Sequence, residues 1–223
     1  MKAATMPTDA RLLRLLTWLS PAFPVGAFGY SHGLETAIRE GAVTDACALT
    51  GWIAALLEHG SGWSDAVLAR AAWTAVTAED HAALDEIAEL GEAMAPSLER
   101  RRETMAQGEA FLTAVAAWHP PQIIRAPYCV ALGAAAGAAG IPLQPALIAW
   151  LHAFAANLTS VAVRAIPLCQ SDAVAVIASL EAVILRTAAR ATASTLDDLG
   201  SGAILSDIAA MRHETLEGRL FIS

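Results

Sequence analysis

The sequence predicts an all-α protein that folds as a single globular bundle of about eight to ten helices. Apolar residues recur at helical spacing along nearly the whole chain, and no stretch alternates apolar and polar residues as a half-buried strand would. The prolines fall between the apolar stripes or just inside them. The chain has 223 residues, of which 56% are hydrophobic. This length and composition supply one sizeable core, so we expect residues 1–223 to form one domain.

The first helices are indicated by apolar stripes that begin near capping residues. One stripe consists of Leu12, Leu15, Leu16 and Leu19, with Asp9 placed to cap its first turn. A short helix over residues 32–40 follows a Pro/Gly loop, and Ser31 is expected to cap it. The next stripe consists of Leu49, Trp52, Ile53 and Leu56. Thr44 or Asp45 can cap that helix, and Gly60 can end it.

The rest of the chain repeats the same pattern. Further helices are predicted over residues 64–78, 81–94, 97–117, 126–139, 146–165, 171–193 and 203–214. Several of them carry mostly alanine on their apolar sides, which allows the helix axes to pack closely.

One region is dense in charge, comprising the acidic residues between positions 79 and 92 and the run "ERRRE" at residues 99–103. Charge runs on helices are usually solvated faces with i,i+4 pairs, and that is the interpretation we favour. A partner-docking surface is the alternative. Three adjacent arginines splay around a helix and cannot all meet one anion.

The overall charge and the cysteines narrow the class of protein. The chain has 14 basic and 22 acidic residues, a net charge of −8, so no nucleic-acid partner is expected. The three cysteines, Cys47, Cys129 and Cys169, are far apart. They fit buried thiols in a reducing cytoplasm better than disulfides. Arg11 and Arg14 interrupt the first leucines, so no signal peptide is expected.

A membrane-associated protein is one alternative. The 38 residues between Arg125 and Arg164 have no charged side chain, enough for two short spans. Pro142, Pro145 and a high content of alanine and glycine favour buried helices instead. No membrane partner is expected, and a membrane hairpin at residues 126–163 is the rival hypothesis.

A serine hydrolase is a second alternative, because "GYSHG" (residues 29–33) matches the G-x-S-x-G pattern of the nucleophile elbow. That motif needs a strand before the serine, and here a Pro/Gly loop precedes it. Asp172 or Asp207 and His213 follow Ser31 in the order of a catalytic triad, but a chain of this length contains such triplets by chance. We therefore interpret Ser31 as a helix cap and expect no catalytic residue.

No cofactor or metal site is expected. The glycines of this loop lack the G-K-[ST] sequence that would bind nucleotide phosphates. No two of the six histidines stand at i,i+3 or i,i+4, and none pairs locally with a cysteine. A metal site formed between two chains remains open.

The C-terminal segment, about residues 203–223, mixes charged and apolar residues and ends in "RLFIS". Its apolar end needs to be covered. Docking on the chain's own core and binding to another protein would serve equally well.

Three separate motifs carry a resemblance to one family. They are "LLRLLTWLSPAFPVGAFGYSHGLETAI" near the N-terminus, "VRAIPLCQSDAVAVIASL" from Val163, and the closing "AAMRHETLEGRLFIS". In order and spacing they resemble the urease accessory protein F (UreF) family, and the resemblance covers almost the whole chain.

The resemblance implies an all-α, cytoplasmic, homodimeric scaffold or chaperone of urease maturation that is not an enzyme. It implies a bridge between the D-type (also called H-type) accessory protein and the G-type GTPase, which together deliver nickel to the urease apoprotein. GTP, Mg²⁺ and nickel are then expected on the partner proteins. It also implies that the C-terminal segment becomes ordered on the D-type partner.

The resemblance carries over to individual residues at both ends of the chain. In the C-terminal segment the matching residues, expected to bind the partner, are Met211, Arg212, His213, Glu214, Arg219, Leu220 and Phe221. In the N-terminal signature they include Pro24, Gly26, Ala27, Tyr30, Ser31, Gly33 and Glu35. Departures from the family pattern stand at Gly29, His32, Cys169 and Leu216–Gly218. We expect a buried thiol at Cys169 and a surface histidine at His32.

Overall fold

The computed structural model describes residues 8–223, and the first seven residues, where a signal peptide would begin, lie outside it. The described residues contain no strand and form these α-helices: α1 (Thr8–Trp18), α2 (Leu34–Arg39), α3 (Ala46–His59), α4 (Ser61–Thr77), α5 (His81–Ala93), α6 (Leu98–Val115), α7 (Tyr128–Ala138), α8 (Leu143–Ala165), α9 (Gln170–Thr192) and α10 (Ile204–His213). Short 3-10 helices span Ala27–Gly29 and Leu196–Asp198. The predicted all-α bundle is confirmed.

The helix ends follow the capping chemistry of the sequence. The Asp45 side chain accepts a hydrogen bond from the Ala48 N–H, and Asp80 and Ser97 cap α5 and α6 in the same way. Gly60 ends α3 as predicted. α2 differs from the prediction, because it begins at Leu34 and Gly33 is its N-cap, with a φ of 77°.

The core is built around α4, which packs against α3, α5, α7, α8 and α9. Its closest neighbour is α7, whose residues from Tyr128 to Gly137 are all buried. Gly133 makes that contact close, since a Cβ atom there would lie 2.2 Å from the main-chain oxygen of Ala69. The small residues of the predicted 126–139 helix therefore serve contact between two helices.

α8 is the one helix among the described residues that is long and apolar enough to cross a membrane, with a mean hydropathy of 1.6 over its best window. In the fold that window is 56% buried, and α8 packs on α9, α4 and α2. α7 is too short to span and is enclosed by α4 and α6. The two helices of the alternative membrane hairpin thus form part of the bundle core.

The cysteine prediction is right for one residue and wrong for two. Cys129 is buried in α7, whereas Cys47 and Cys169 are exposed. Cys169 lies immediately before α9, where its N–H donates to the Asp172 carboxylate at 3.0 Å. A helix N-cap faces solvent here, which explains why that thiol is not in the core.

Candidate functional site

Two stretches that are far apart in the sequence meet in the fold. We call residues 20–35 the signature loop, residues 203–223 the C-terminal segment, and their contact region the junction. α10 packs on α2, and at Gly33 the two backbones touch: a Cβ atom there would lie 2.5 Å from the Ala210 nitrogen. Glycine is required at this position both by its φ of 77° and by this contact.

Glu35 is the central side chain of the junction. Its carboxylate, 2% exposed, accepts hydrogen bonds from the main-chain N–H of Leu220 at 2.8 Å and of Phe221 at 3.0 Å. It also accepts from Arg39 at 2.8 Å. Burial opposes ionisation, but these bonds and one from His213 outweigh it and lower the pKa of Glu35. An ionised carboxylate therefore holds the end of the chain.

His213 joins Glu35 to a second carboxylate. The ring is fully buried, with Nε2 3.2 Å from Glu35 Oε2 and Nδ1 2.7 Å from Glu99 Oε2. A ring protonated on both nitrogens can donate to both carboxylates. Glu99 also pairs with Arg219. The start of α2, the start of α6 and the C-terminal segment are linked through this one histidine.

Ser31 takes part in the junction as a structural residue. It is fully buried, and both its N–H and its hydroxyl donate to the main-chain oxygen of Ser223. The hydroxyl also accepts from the Glu35 N–H at 3.4 Å. The predicted bond to an early helix N–H is present, although Gly33 is the cap residue. The described residues provide no strand before Ser31, so the context of a nucleophile elbow is missing.

A third carboxylate, Glu103, lies close to Ser31 and is joined to it through Ser223. It is 1% exposed and accepts from the Ser223 hydroxyl at 2.7 Å. It pairs with Arg100 and contacts His32 Nε2 at 2.8 Å. Burial opposes the ionisation of Glu103. The positive charge of Arg100 and the hydrogen bonds from His32 and Ser223 outweigh burial and lower the pKa of Glu103 to about 2.

Two predictions are wrong here. His32 is not a surface histidine: its side chain is 10% exposed and its ring packs edge-on against Phe154. A left-handed backbone with φ of 55° places it there, and burial together with Arg100 lowers its pKa. The "ERRRE" run is also not a wholly solvated face, because Arg100 and Glu103 point into the core while Arg101 and Arg102 are exposed.

The last residues of the chain close the junction. Phe221 is 5% exposed, and the Arg164 guanidinium lies 4.5 Å from the centre of its ring. The Ile222 N–H donates to the Gly29 oxygen at 2.8 Å. Gly29 is a departure from the family pattern and lies close to Ile222. A Cβ atom added at Gly29 would be 3.4 Å from Cδ1 of Ile222. The described chain therefore covers part of the apolar end with its own core.

The residues predicted to bind a partner divide into two sets. His213 and Phe221 point inward and are buried. Met211 and Leu220 point outward, 50% and 69% exposed. Three charged residues lie at the rim: Arg212 pairs with Glu40 at 3.0 Å, Glu214 accepts from the Leu98 N–H at 2.8 Å, and Arg219 pairs with Glu99.

The C-terminal segment exposes other apolar side chains besides Met211 and Leu220. Its exposed apolar residues on α10 and among the last residues are Ile204, Leu205, Ile208, Met211, Leu220 and Ile222, which are 38% to 74% exposed. We call these six residues the outer face. An exposed apolar face of this kind is typical of a protein-binding surface.

Part of the signature lies away from the junction. Pro24 is exposed. Gly26 supplies a left-handed turn, φ 71°, before the 3-10 helix, and a Cβ atom at this position would have no neighbour within 4 Å. The main-chain oxygen of Tyr30 accepts a hydrogen bond from the Asn157 side-chain amide at 3.4 Å. Within the signature, Ser31, Gly33 and Glu35 are the predicted residues that meet the C-terminal segment.

The residues that sequence reasoning missed are mainly Glu99, Glu103 and Arg39. Arg39 donates to the main-chain oxygen of Glu217 at 2.7 Å, within the Leu216–Gly218 departure. For Glu103 a signal was available, because Glu103, Gln107 and Phe111 follow one another at i,i+4 on the buried stripe of α6. Among residues 8–223 no group of three or more His, Cys, Asp or Glu side chains is arranged so that it could hold a metal ion.

The fold and the junction define an all-α protein in which the signature loop and the C-terminal segment meet around buried carboxylates. The family model described as UreF matches residues 43–181. The chain is 52% identical over 221 residues to the urease accessory protein UreF of Mesorhizobium japonicum, covering 97% of this chain and 98% of the relative. It is 51% identical over 219 residues to that of Agrobacterium fabrum, covering 96% and 97%.

The chain therefore belongs to the UreF family of urease accessory proteins. Its relatives are named as accessory proteins of urease, and it is accordingly an accessory protein rather than an enzyme. The predicted family is confirmed, and a role in urease maturation together with other maturation proteins follows from it.

Proposed function

We propose that this protein is a scaffold for nickel insertion into urease, bridging the D-type (H-type) accessory protein and the G-type GTPase on the urease apoprotein. It acts in the cytoplasm as a homodimer and modulates the GTPase without catalysis of its own. GTP, Mg²⁺ and nickel are bound by the partner proteins. Family membership supports a role in urease maturation, and the junction supports the binding of a partner protein through the C-terminal segment.

The observation that carries the proposal is the two-sided C-terminal segment. Its inward residues, His213 and Phe221, are buried in the chain's own core, while the outer face exposes six apolar side chains. A segment held on one side and apolar on the other is suited to bind a second protein, because it is already folded before it binds. This differs from the expectation that the segment becomes ordered on the D-type partner. We assign the outer face to the D-type partner.

The charges at the rim fit the same role. Arg212 and Arg219 are 62% and 40% exposed and are held by Glu40 and Glu99. Guanidinium groups fixed at the edge of an apolar surface can form bidentate bonds with carboxylates of a partner. They would give orientation to a contact whose affinity comes from the apolar centre.

Capture of the D-type partner tests this proposal. Deleting residues 211–223 should abolish capture of the purified D-type protein of the same host while largely retaining the helical circular dichroism. Since the deletion also leaves Glu35 and Glu103 without their partners, a second variant is needed. Met211→Asp with Leu220→Asp changes only exposed side chains and should weaken capture at least tenfold.

A matched control is available on α1, where Leu12 and Leu16 are 56% and 63% exposed. Leu12→Asp with Leu16→Asp introduces the same two charges on the exposed side of α1, outside the outer face, and should leave capture unchanged. If the chain shortened by residues 211–223 still captured the partner, the assignment of the C-terminal segment would be wrong.

A further inference from the structure

We infer that Glu35 is a positioning residue for partner binding: from the signature loop it holds the C-terminal segment in the conformation that presents the outer face. This inference rests on the proposed function and deepens it. It assigns to a buried residue, 178 positions before His213 in the chain, a role in a contact that it does not itself make.

The hydrogen bonds at Glu35 are the first part of the argument. Four groups converge on its two carboxylate oxygens: the N–H groups of Leu220 and Phe221 and the Arg39 guanidinium, which donate, and Nε2 of the His213 ring. Leu220 is thus fixed by its backbone while its side chain is 69% exposed. The position of an outer-face side chain is set directly by Glu35.

The second part is that Glu35 bonds both α10 and the main chain that follows it, whereas its neighbours bond the last residues one at a time. Beyond Glu35, the last five residues are held by Glu99 through Arg219, by Gly29 through Ile222, and by Ser31 and Glu103 through Ser223. Glu99 bonds His213 and Arg219 only through their side chains. Glu35 bonds the His213 ring of α10 and also the main chain after it. Arg39, which is bonded to Glu35, donates to the main-chain oxygens of Glu217 and Gly218. Glu35, directly and through Arg39, therefore fixes the path along which the backbone leaves α10 and turns back towards the signature loop.

The third part is the selectivity of a carboxylate at this site. All four neighbours can donate, so two acceptor oxygens satisfy them and an amide cannot. Glu35→Gln keeps the size of the side chain but turns one acceptor into an NH₂ group that faces other donors. A donor left unpaired in a buried site destabilises the contact. The change is confined to the junction because the Glu35 carboxylate bonds only Arg39, His213, Leu220 and Phe221.

The test compares Glu35→Gln with Glu58→Gln, a change of the same kind outside the junction. Glu58 of α3 pairs with Arg186 at 3.1 Å, with side chains 27% and 59% exposed. Hydrogen exchange should show at least tenfold faster exchange of the Leu220 and Phe221 amides in Glu35→Gln, with α4 and α7 unchanged. The affinity for the D-type partner should fall at least tenfold, and Glu58→Gln should change it less than threefold.

Glu35→Asp retains both acceptor oxygens and should recover part of the affinity and protection lost in Glu35→Gln. A residue needed only for general stability would lower the melting temperature without selectively freeing the last residues. If deletion of residues 211–223 abolished capture while Glu35→Gln freed the Leu220 and Phe221 amides and still bound at wild-type affinity, the positioning role would be overturned and the proposed function retained. Unchanged exchange of those amides in Glu35→Gln would overturn it as well.

Discussion

At the scale of single residues, the junction depends on glycines and carboxylates whose roles come from contacts distant in sequence. Gly33 has a backbone that L side chains rarely adopt and touches the backbone of α10. The sequence pattern identified Ser31, Gly33 and Glu35 as part of a signature, but it did not reveal what they contact. Ser31 shows the limit best, because its match to a hydrolase motif and its observed bonds to Ser223 involve the same hydroxyl.

Replacing Gly33 tests the close contact at this scale. Gly33→Ala and Gly26→Ala introduce a Cβ at similar φ values, 77° and 71°, but only Gly33 has neighbours within 4 Å. The left-handed conformation should cost each variant about 1–2 kcal/mol of unfolding free energy. Gly33→Ala should lose roughly 1–3 kcal/mol more, because the Ala210 backbone must move. If chemical denaturation gave equal losses of unfolding free energy for the two variants, the contact of Gly33 with α10 would not contribute to stability.

At the scale of helices, the sequence predicted more than at the scale of residues. Helical periodicity and capping residues indicated α3 to α10, since both are local properties of the chain, and Asp45, Gly60 and Ser97 lie where they were expected or adjoin the predicted ends. The sequence predicted the helix α6, but it did not predict that two charged residues of α6 are buried. Arg100 and Glu103 are charged, and they pair with each other inside the fold. Glu103 also bonds His32 and Ser223, which are remote in sequence and satisfy the rest of its buried carboxylate.

The contact of α4 with α7 gives a test at this scale. Gly133→Ala would place a Cβ 2.2 Å from the Ala69 oxygen, so the helices must separate. Overpacking of this kind should outweigh the gain in helix propensity, about 1 kcal/mol, and leave a net destabilisation of about 1–2 kcal/mol. Gly51→Ala in α3 has open space and should stabilise by about 0.5–1 kcal/mol. If both variants changed the stability to thermal unfolding in the same direction, this packing of α4 on α7 would be contradicted.

At the scale of the whole molecule, the bundle places charged residues inside a core that composition alone made look apolar. Asp65 of α4 lies near Arg100 and Glu103 and is hydrogen-bonded to the Cys129 thiol, and burial raises its pKa to about 6. A raised carboxyl pKa means that the folded chain binds this proton more tightly than the unfolded chain. The contribution is fully present below about pH 3.8 and is lost as the pH rises to about 6.

Asp65→Asn should therefore be more stable than the wild type in a pH-dependent manner. The difference in unfolding free energy should increase between about pH 4 and pH 6 and level off near pH 8, by up to about 3 kcal/mol. Asp85→Asn, at an exposed position of α5, should show no such slope. A flat difference for Asp65→Asn across this range would exclude a raised pKa at Asp65.

Function also belongs to the whole molecule, because the signature loop and the C-terminal segment were recognised separately in the sequence and form one unit only in the fold. The direct measurement is the nickel content of urease purified from the host lacking this chain. We predict normal amounts of urease polypeptide with little nickel and little activity, both restored by the wild-type chain and not by the chain shortened by residues 211–223. Fully nickel-loaded, active urease in the absence of this protein would contradict a role in urease maturation.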